Sequence, residues 1–206
     1  MNNKITKTDY LNYVKCPRLF VLGKKEAEAD KTPFLGAEQF PEIRRLAEMC
    51  IGHGKSASPA LSVEDMRDPK ASFFREVCAE TDIAKGTIDF AKKNETGWDI
   101  YMIAPSTMDK TKKCGGFKKN DDKIRGLAFY RYLLAKNGIL NVKSHMIGFD
   151  KTYRRHGELD PYSLFVEIEV TELVELSFLD VEAKVEDAFA LRTKGETPHL
   201  NFDACW

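Results

Sequence analysis

The chain has 206 residues, 43% of them apolar and 31% charged, and its 32 basic residues are balanced by 32 acidic ones. This length and composition fit one globular domain with a buried core, residues 1–206, and exclude a disordered or fibrous chain. Zero net charge removes any global field that would draw in nucleic acid or a membrane, which leaves a local basic face as the route to such a partner.

No run approaches the roughly 18 apolar residues of a membrane span, and "MNNKITKTDY" lacks a signal-peptide core, so a cytoplasmic protein without a membrane partner is expected. Five cysteines, Cys16, Cys50, Cys78, Cys114 and Cys205, are scattered and never form a CxxC pair. That spacing argues against both a disulfide framework and a self-contained zinc site.

In chain order, residues 1–60 read as a helical part and 71–206 as a sheet core with flanking helices. Thr8 suits a helix N-cap, with Leu11 and Val14 on one face and a break at Cys16-Pro17. A short helix from Pro17 would carry Leu19, Phe20 and Leu22, and "KEAEADKTPFLG" reads as a loop. Ile43, Leu46, Ala47 and Cys50 have helical spacing within Glu38 to Cys50.

The period then changes. "SFFREVCAE", "IAKGTIDFAKK" and "GWDIYMIAPS" are rich in aromatic and branched residues and are separated by turn-forming residues, which predicts a three-stranded antiparallel meander. Pro105 cannot donate a ladder bond and marks a strand end or edge. A lysine-rich loop leads to a helix near Lys123 to Lys136, stopped by Gly138. "NVKSHMIGFD" and "SLFVEIEVT" read as two more strands around the polar "KTYRRHGELDPY". One last helix, Val174 to Arg192, carries Phe178, Val181, Val185 and Phe189 in a stripe.

Several of these strings carry a resemblance. "ITKTDYLNYVKCPRLFVL" resembles the N-terminal signature of RecB-like and CRISPR-associated exonucleases of the PD-(D/E)XK nuclease superfamily. "GTIDFAKKNETGWDIYMIAPST", "LAFYRYLLAKNGI", "RRHGELDPYSLFVEIEVTELV" and "PHLNFDACW" resemble successive segments of a bacterial domain-of-unknown-function family, number 2779, that carries such a domain. The resemblance implies an α+β, restriction-endonuclease-like core: a mixed sheet containing the meander, flanked by helices. It also implies a chain that ends before the family's C-terminal cysteine cluster.

Nucleases of this kind use Mg²⁺ or Mn²⁺ held by oxygen ligands to activate water, with a lysine stabilising charge in the transition state. The resemblance gives Asp89 the place of the strand aspartate. It also puts Ile103, Ala104 and Pro105 where the acid-x-lysine triplet belongs, so both chemical side chains are missing. Gly126 and Tyr130 stand where the next helix commonly has an acid and a glutamine, and Phe40 and Arg44 where the earlier helix tends to have glycine. Glu76 is either a further acid lining the same cleft or a solvent-facing residue.

Cys16 and Cys205 match two ligands of an iron-sulfur cluster that takes four thiolates, so a complete cluster within this chain is not expected. Cys114 is either a recruited ligand or an exposed thiol, and Cys50 and Cys78 fall on apolar faces as core residues. Lys110, Lys112, Lys113, Lys118, Lys119, Arg154 and Arg155 are the candidates for phosphate contact. His53, His145, His156 and His199 show no ligand spacing and read as surface or packing residues.

The leading expectation is a nuclease-related protein without catalysis that binds nucleic acid or a protein. The alternatives are a metal-dependent DNA exonuclease with migrated residues, and a structural remnant that binds no nucleic acid.

Overall fold

Thr6 and Asp9 open the first helix with a reciprocal cap: the Thr6 hydroxyl accepts the Asp9 amide at 3.2 Å and the Asp9 carboxylate accepts the Thr6 amide at 2.9 Å. The cap therefore lies at Thr6, not Thr8, because Asp9 stands three residues beyond it as a capping box requires. The computed structural model describes residues 3–194 apart from 19, 22–39, 54, 61 and 71. The predicted loop at 25–36, Leu19, Leu22, His199 and Cys205 lie outside those residues.

The elements are α1 (Lys7–Lys15), α2 (Phe40–Gly52), β1 (Ser58–Pro59), β2 (Phe73–Glu80), β3 (Lys85–Lys93), β4 (Trp98–Met108), α3 (Asp122–Lys136), β5 (Val142–Asp150), α4 (Pro161–Leu164), β6 (Phe165–Glu169), α5 (Thr171–Phe178) and α6 (Val181–Lys194). Short 3₁₀ turns occupy Val63–Arg67 and Lys113–Gly116. The fold is α+β, a six-stranded mixed sheet in the order β1-β2-β3-β4-β5-β6 with helices on both faces. The β2–β3–β4 meander is antiparallel, as its alternation predicts, while β4 and β5 run parallel with α3 between them in the chain.

Two cores sandwich the sheet. On one face Tyr10, Ile124, Leu127, Phe129, Val174 and Val185 cover Ile88, Ile100, Met102 and Met146. On the other, Leu46, Ala47 and Ile51 of α2 cover Phe73, Phe90, Tyr101, Ile103 and Ile147. Each fully buried Leu, Ile or Phe contributes about 1.5–3 kcal/mol.

The single last helix predicted from Val174 to Arg192 is two helices, with the chain turning at Leu179 and Asp180. α5 packs on α3 and β5, whereas α6 packs on α1 and α3, and one straight helix cannot follow both. Buried Arg192 ties α6 to α1, its guanidinium 2.5 Å from the Asp9 carboxylate and 2.9 Å from the Lys4 carbonyl.

Pro105 does not end its strand. The β4–β5 register shifts between Ile103 and Thr107, a bulge that holds Pro105 exposed where no ladder donor is needed. Opposite it is Gly148, whose lack of a side chain admits the Ala104 and Ser106 carbonyls. Cys78, expected in the core, is exposed, since Val77 and Ala79 take the inward positions on either side of it.

Candidate functional site

Side-chain alternation slips once in β3. Ile88 and Ala91 both belong to the core under α3 while Phe90 belongs to that under α2, an odd spacing that leaves Asp89 facing α2 beside Phe90. The partner strand slips at the same level: Phe74 and Val77 share the first core across Glu76, whose backbone is left-handed at φ +55°. With Arg75 paired to Phe90 and Val77 to Ile88, Glu76 lies directly across from Asp89.

Arg44 of α2 reaches into this pair. One guanidinium nitrogen donates to the Asp89 carboxylate at 3.0 Å and the other to the Glu76 carboxylate. The second Asp89 oxygen accepts the Ile103 amide at 2.9 Å, at the point where the β3–β4 ladder has ended beyond Phe90 and Tyr101. Burial pushes the Asp89 carboxyl above the ordinary carboxylate value, against the Ile103 amide, Arg44 and the nearby Lys7 charge, which pull it down.

The structure therefore brings the Asp89 and Glu76 carboxylates onto one guanidinium, with Glu76 itself exposed to solvent. The space a divalent ion would need between them holds a guanidinium. Ile103 is buried in the α2-side core and offers only its backbone, and Pro105 faces solvent. Among the described residues no group of three or more His, Cys, Asp or Glu side chains could hold a metal ion. The donor set does not fit Mg²⁺ or Mn²⁺, because a permanently charged arginine already satisfies both carboxylates.

Tyr130 and Gly126 of α3 complete the surroundings. The Lys7 ammonium lies 5.2 Å from the centre of the Tyr130 ring, and the Lys7 stem passes over Gly126, 3.3 Å from where a β-carbon would sit. Cys16 forms the C-cap of α1. Cys114 is half-buried, with φ +50°, in the 3₁₀ turn that packs on the first core.

The predicted basic set is divided. Lys110 pairs with Asp150 at 2.9 Å and Lys113 with Glu172 at 2.9 Å, so both are partly neutralised. Among the described residues no ion pair holds Lys112, Lys118 or Lys119. The Lys119 carbonyl accepts the Ser177 hydroxyl at 2.8 Å, which places that end of the loop beside α5. The exposed Arg154 and Arg155 guanidinium groups donate at 2.9 Å to the carbonyls of Tyr153 and Gly157 respectively.

Lys110 and Arg154 do come together. With Tyr153, His156 and Tyr162 they line an open groove of about 750 Å³ at the carboxyl ends of the parallel pair β4 and β5, the usual ligand-binding end of such strands. Its acids are engaged in part: Asp150 binds Thr152 and Lys110, which hold its carboxyl at about 2, and Asp160 caps α4.

A second cluster escaped the sequence. His145 is 7% exposed and stacks on Tyr101 with 5.0 Å between ring centres. Its Nε2 lies 3.3 Å from Asp99 and its Nδ1 2.9 Å from Glu167. Only the register of three strands makes this triplet. Burial pushes the imidazole down, but Glu167 and Asp99 outweigh it and raise its proton affinity above that of a free histidine.

Stability drawn from protonated His145 is thus complete below pH 6.5, the free-histidine value, and is lost as pH rises through the folded pKa. We expect urea midpoints of the native protein and a His145→Asn variant to converge as pH increases from 5.5 to about 8.5. A constant gap across that window would remove His145 as the source.

A comparison with protein-family models finds no match for this chain, and a search of curated proteins finds no significant relative.

Proposed function

We propose that this is a restriction-endonuclease-like module that has given up phosphodiester hydrolysis and acts by binding nucleic acid. The helix, three-strand meander, helix, parallel-strand order of α1, β2–β4, α3 and β5 supports the fold assignment. The single observation that carries the loss of catalysis is Arg44 between Asp89 and Glu76. A nuclease of this type needs an exchangeable metal at that point, and a tethered guanidinium neither activates water nor leaves.

Support for binding comes from the groove of Lys110, Arg154 and His156, with Tyr153 and Tyr162 among its lining residues. Cations for phosphates and aromatic faces for bases are the pairing that holds single strands. Lys112, Lys118, Lys119 and Arg155 are exposed cations outside its lining.

The test combines cleavage and binding. Single- and double-stranded DNA and RNA should survive incubation with Mg²⁺ or Mn²⁺, and hydrolysis that vanishes in Asp89→Ala would overturn the reading. Single-stranded DNA should bind with an affinity that falls with salt. Replacing Arg154 and Arg155 by Gln should make the log–log salt slope shallower by about 0.7 for each phosphate that is no longer neutralised. Absent association at low salt would leave a protein as the partner.

A further inference from the structure

A second pocket, of about 610 Å³, opens between the start of α1 and the turn end of the β2–β3 hairpin. Two features of the chain build it. The Thr81 hydroxyl accepts the amides of Ile83 and Ala84 and tightens the hairpin turn. The segment before α1 then pairs with that turn, Ile5 bridging Ala84 in parallel, so the first turn of α1 stands beside β3 where β4 has diverged.

Lys7 comes from α1 and Lys85 from β3. Both are half-buried, and neither has a carboxylate within ion-pair distance among the described residues. The Lys7 ammonium rests over the Tyr130 ring and its charge reaches Asp89, and Lys85 stands across the hairpin from Glu80, but neither contact is an ion pair, which leaves both ammonium groups with hydrogens to donate to an anion in the cavity. The acid among the lining residues, Glu80, is already held by Lys4 at 3.1 Å.

Thr8, Thr87 and Ser62 also line the cavity, and the Lys7 and Thr8 amides, in the first turn of α1, have no intrahelical acceptor. The Asp9 charge at this helix end is turned away into Arg192 and Thr6. Ala79, Gly86 and buried Tyr130 supply a less polar wall.

We propose that this pocket binds a phosphate monoester of nucleotide size, its dianion held between Lys7 and Lys85. Two ammonium groups match a doubly charged phosphate, whereas a carboxylate would leave one of them unpaired. The volume falls in the roughly 300–1,000 Å³ range of small-ligand pockets and exceeds what a bare phosphate fills, leaving room for an attached sugar and base. The source is either a free nucleotide or the phosphorylated end of a strand. This site stands apart from the Lys110–Arg154 groove, so the two proposals fail separately.

Calorimetry on the whole chain tests it with inorganic phosphate, adenosine monophosphate, adenosine, and a short oligonucleotide with or without a 5′-phosphate. The monophosphate should bind and adenosine should not. Lys7→Gln and Lys85→Gln should each weaken binding about tenfold, the worth of one charge-assisted hydrogen bond. Lys143→Gln should leave it unchanged, with thermal melts confirming that each variant is folded.

Competition by the free monophosphate assigns the site to nucleotides, and binding of the phosphorylated oligonucleotide alone assigns it to strand ends. Equal binding of adenosine and its monophosphate, indifference to both lysine substitutions, or no binding of any phosphate overturns the proposal.

Discussion

Arg44→Ala should lower the stability of this protein by about 2 kcal/mol, a fall of roughly 4–8 °C in Tm for a chain of this size. Removing one partner of a fully buried ion pair typically costs about 3–5 kcal/mol, because the other charge is left without compensation. Here the Arg44 and Asp89 side chains are 26% and 16% exposed, so water recovers part of that loss. Arg44→Lys should recover less than half of it, since an ammonium cannot span both carboxylates as the planar fork does.

The double variant Arg44→Met/Asp89→Asn should lose less than the sum of its parts, by about 1 kcal/mol or more. In Arg44→Ala the two facing carboxylates no longer share a cation, and millimolar Mn²⁺ should raise the Tm of this variant more than that of the native protein. Additive single variants together with no metal response would show that the guanidinium does not occupy a cation seat.

Gly148→Ala should cost about 3 kcal/mol, at the upper end for a small-to-large change. A β-carbon there would lie 2.4 Å from the Met108 methyl, 2.6 Å from the Ala104 carbonyl oxygen and 2.8 Å from that of Ser106. The methionine can swing aside, but the carbonyls belong to the bulge and cannot move without remaking the β4–β5 register. Urea denaturation reads the effect. A shift of less than about 1 kcal/mol would mean that the bulge is pliable, and Ile103 would no longer be held rigidly against Asp89.

These two sites show what could be read along the chain and what could not. The meander was legible because its strands alternate and are punctuated by "TD" and "KNETG". Pro105 announced an irregularity, but its resolution as a bulge depends on Gly148, a residue on another strand. The division between α5 and α6 left no mark: neither Gly nor Pro lies between Phe178 and Val181, and Leu179 itself keeps helical angles of φ −55° and ψ −28°.

Asp89 and Arg44 could each be singled out from the family resemblance, the second only as an oddity. Their contact spans 45 positions in the chain and has no local signature. The slip in alternation that turns Asp89 and Glu76 toward α2 is likewise set by packing, since residues flanking a slip look like any other strand. His145 was missed for the same reason: Asp99 and Glu167 reach it through two separate ladders, and a lone histidine in an apolar strand carries no hint of them.

A metal ion in a protein is borrowed: it arrives from the cell's supply and departs with a chelator. The charge that Arg44 sets between Asp89 and Glu76 is inherited with the chain and is present as soon as α2 docks. The clasp between that helix and the sheet should therefore hold regardless of metal supply, and EDTA should leave the folded protein unchanged.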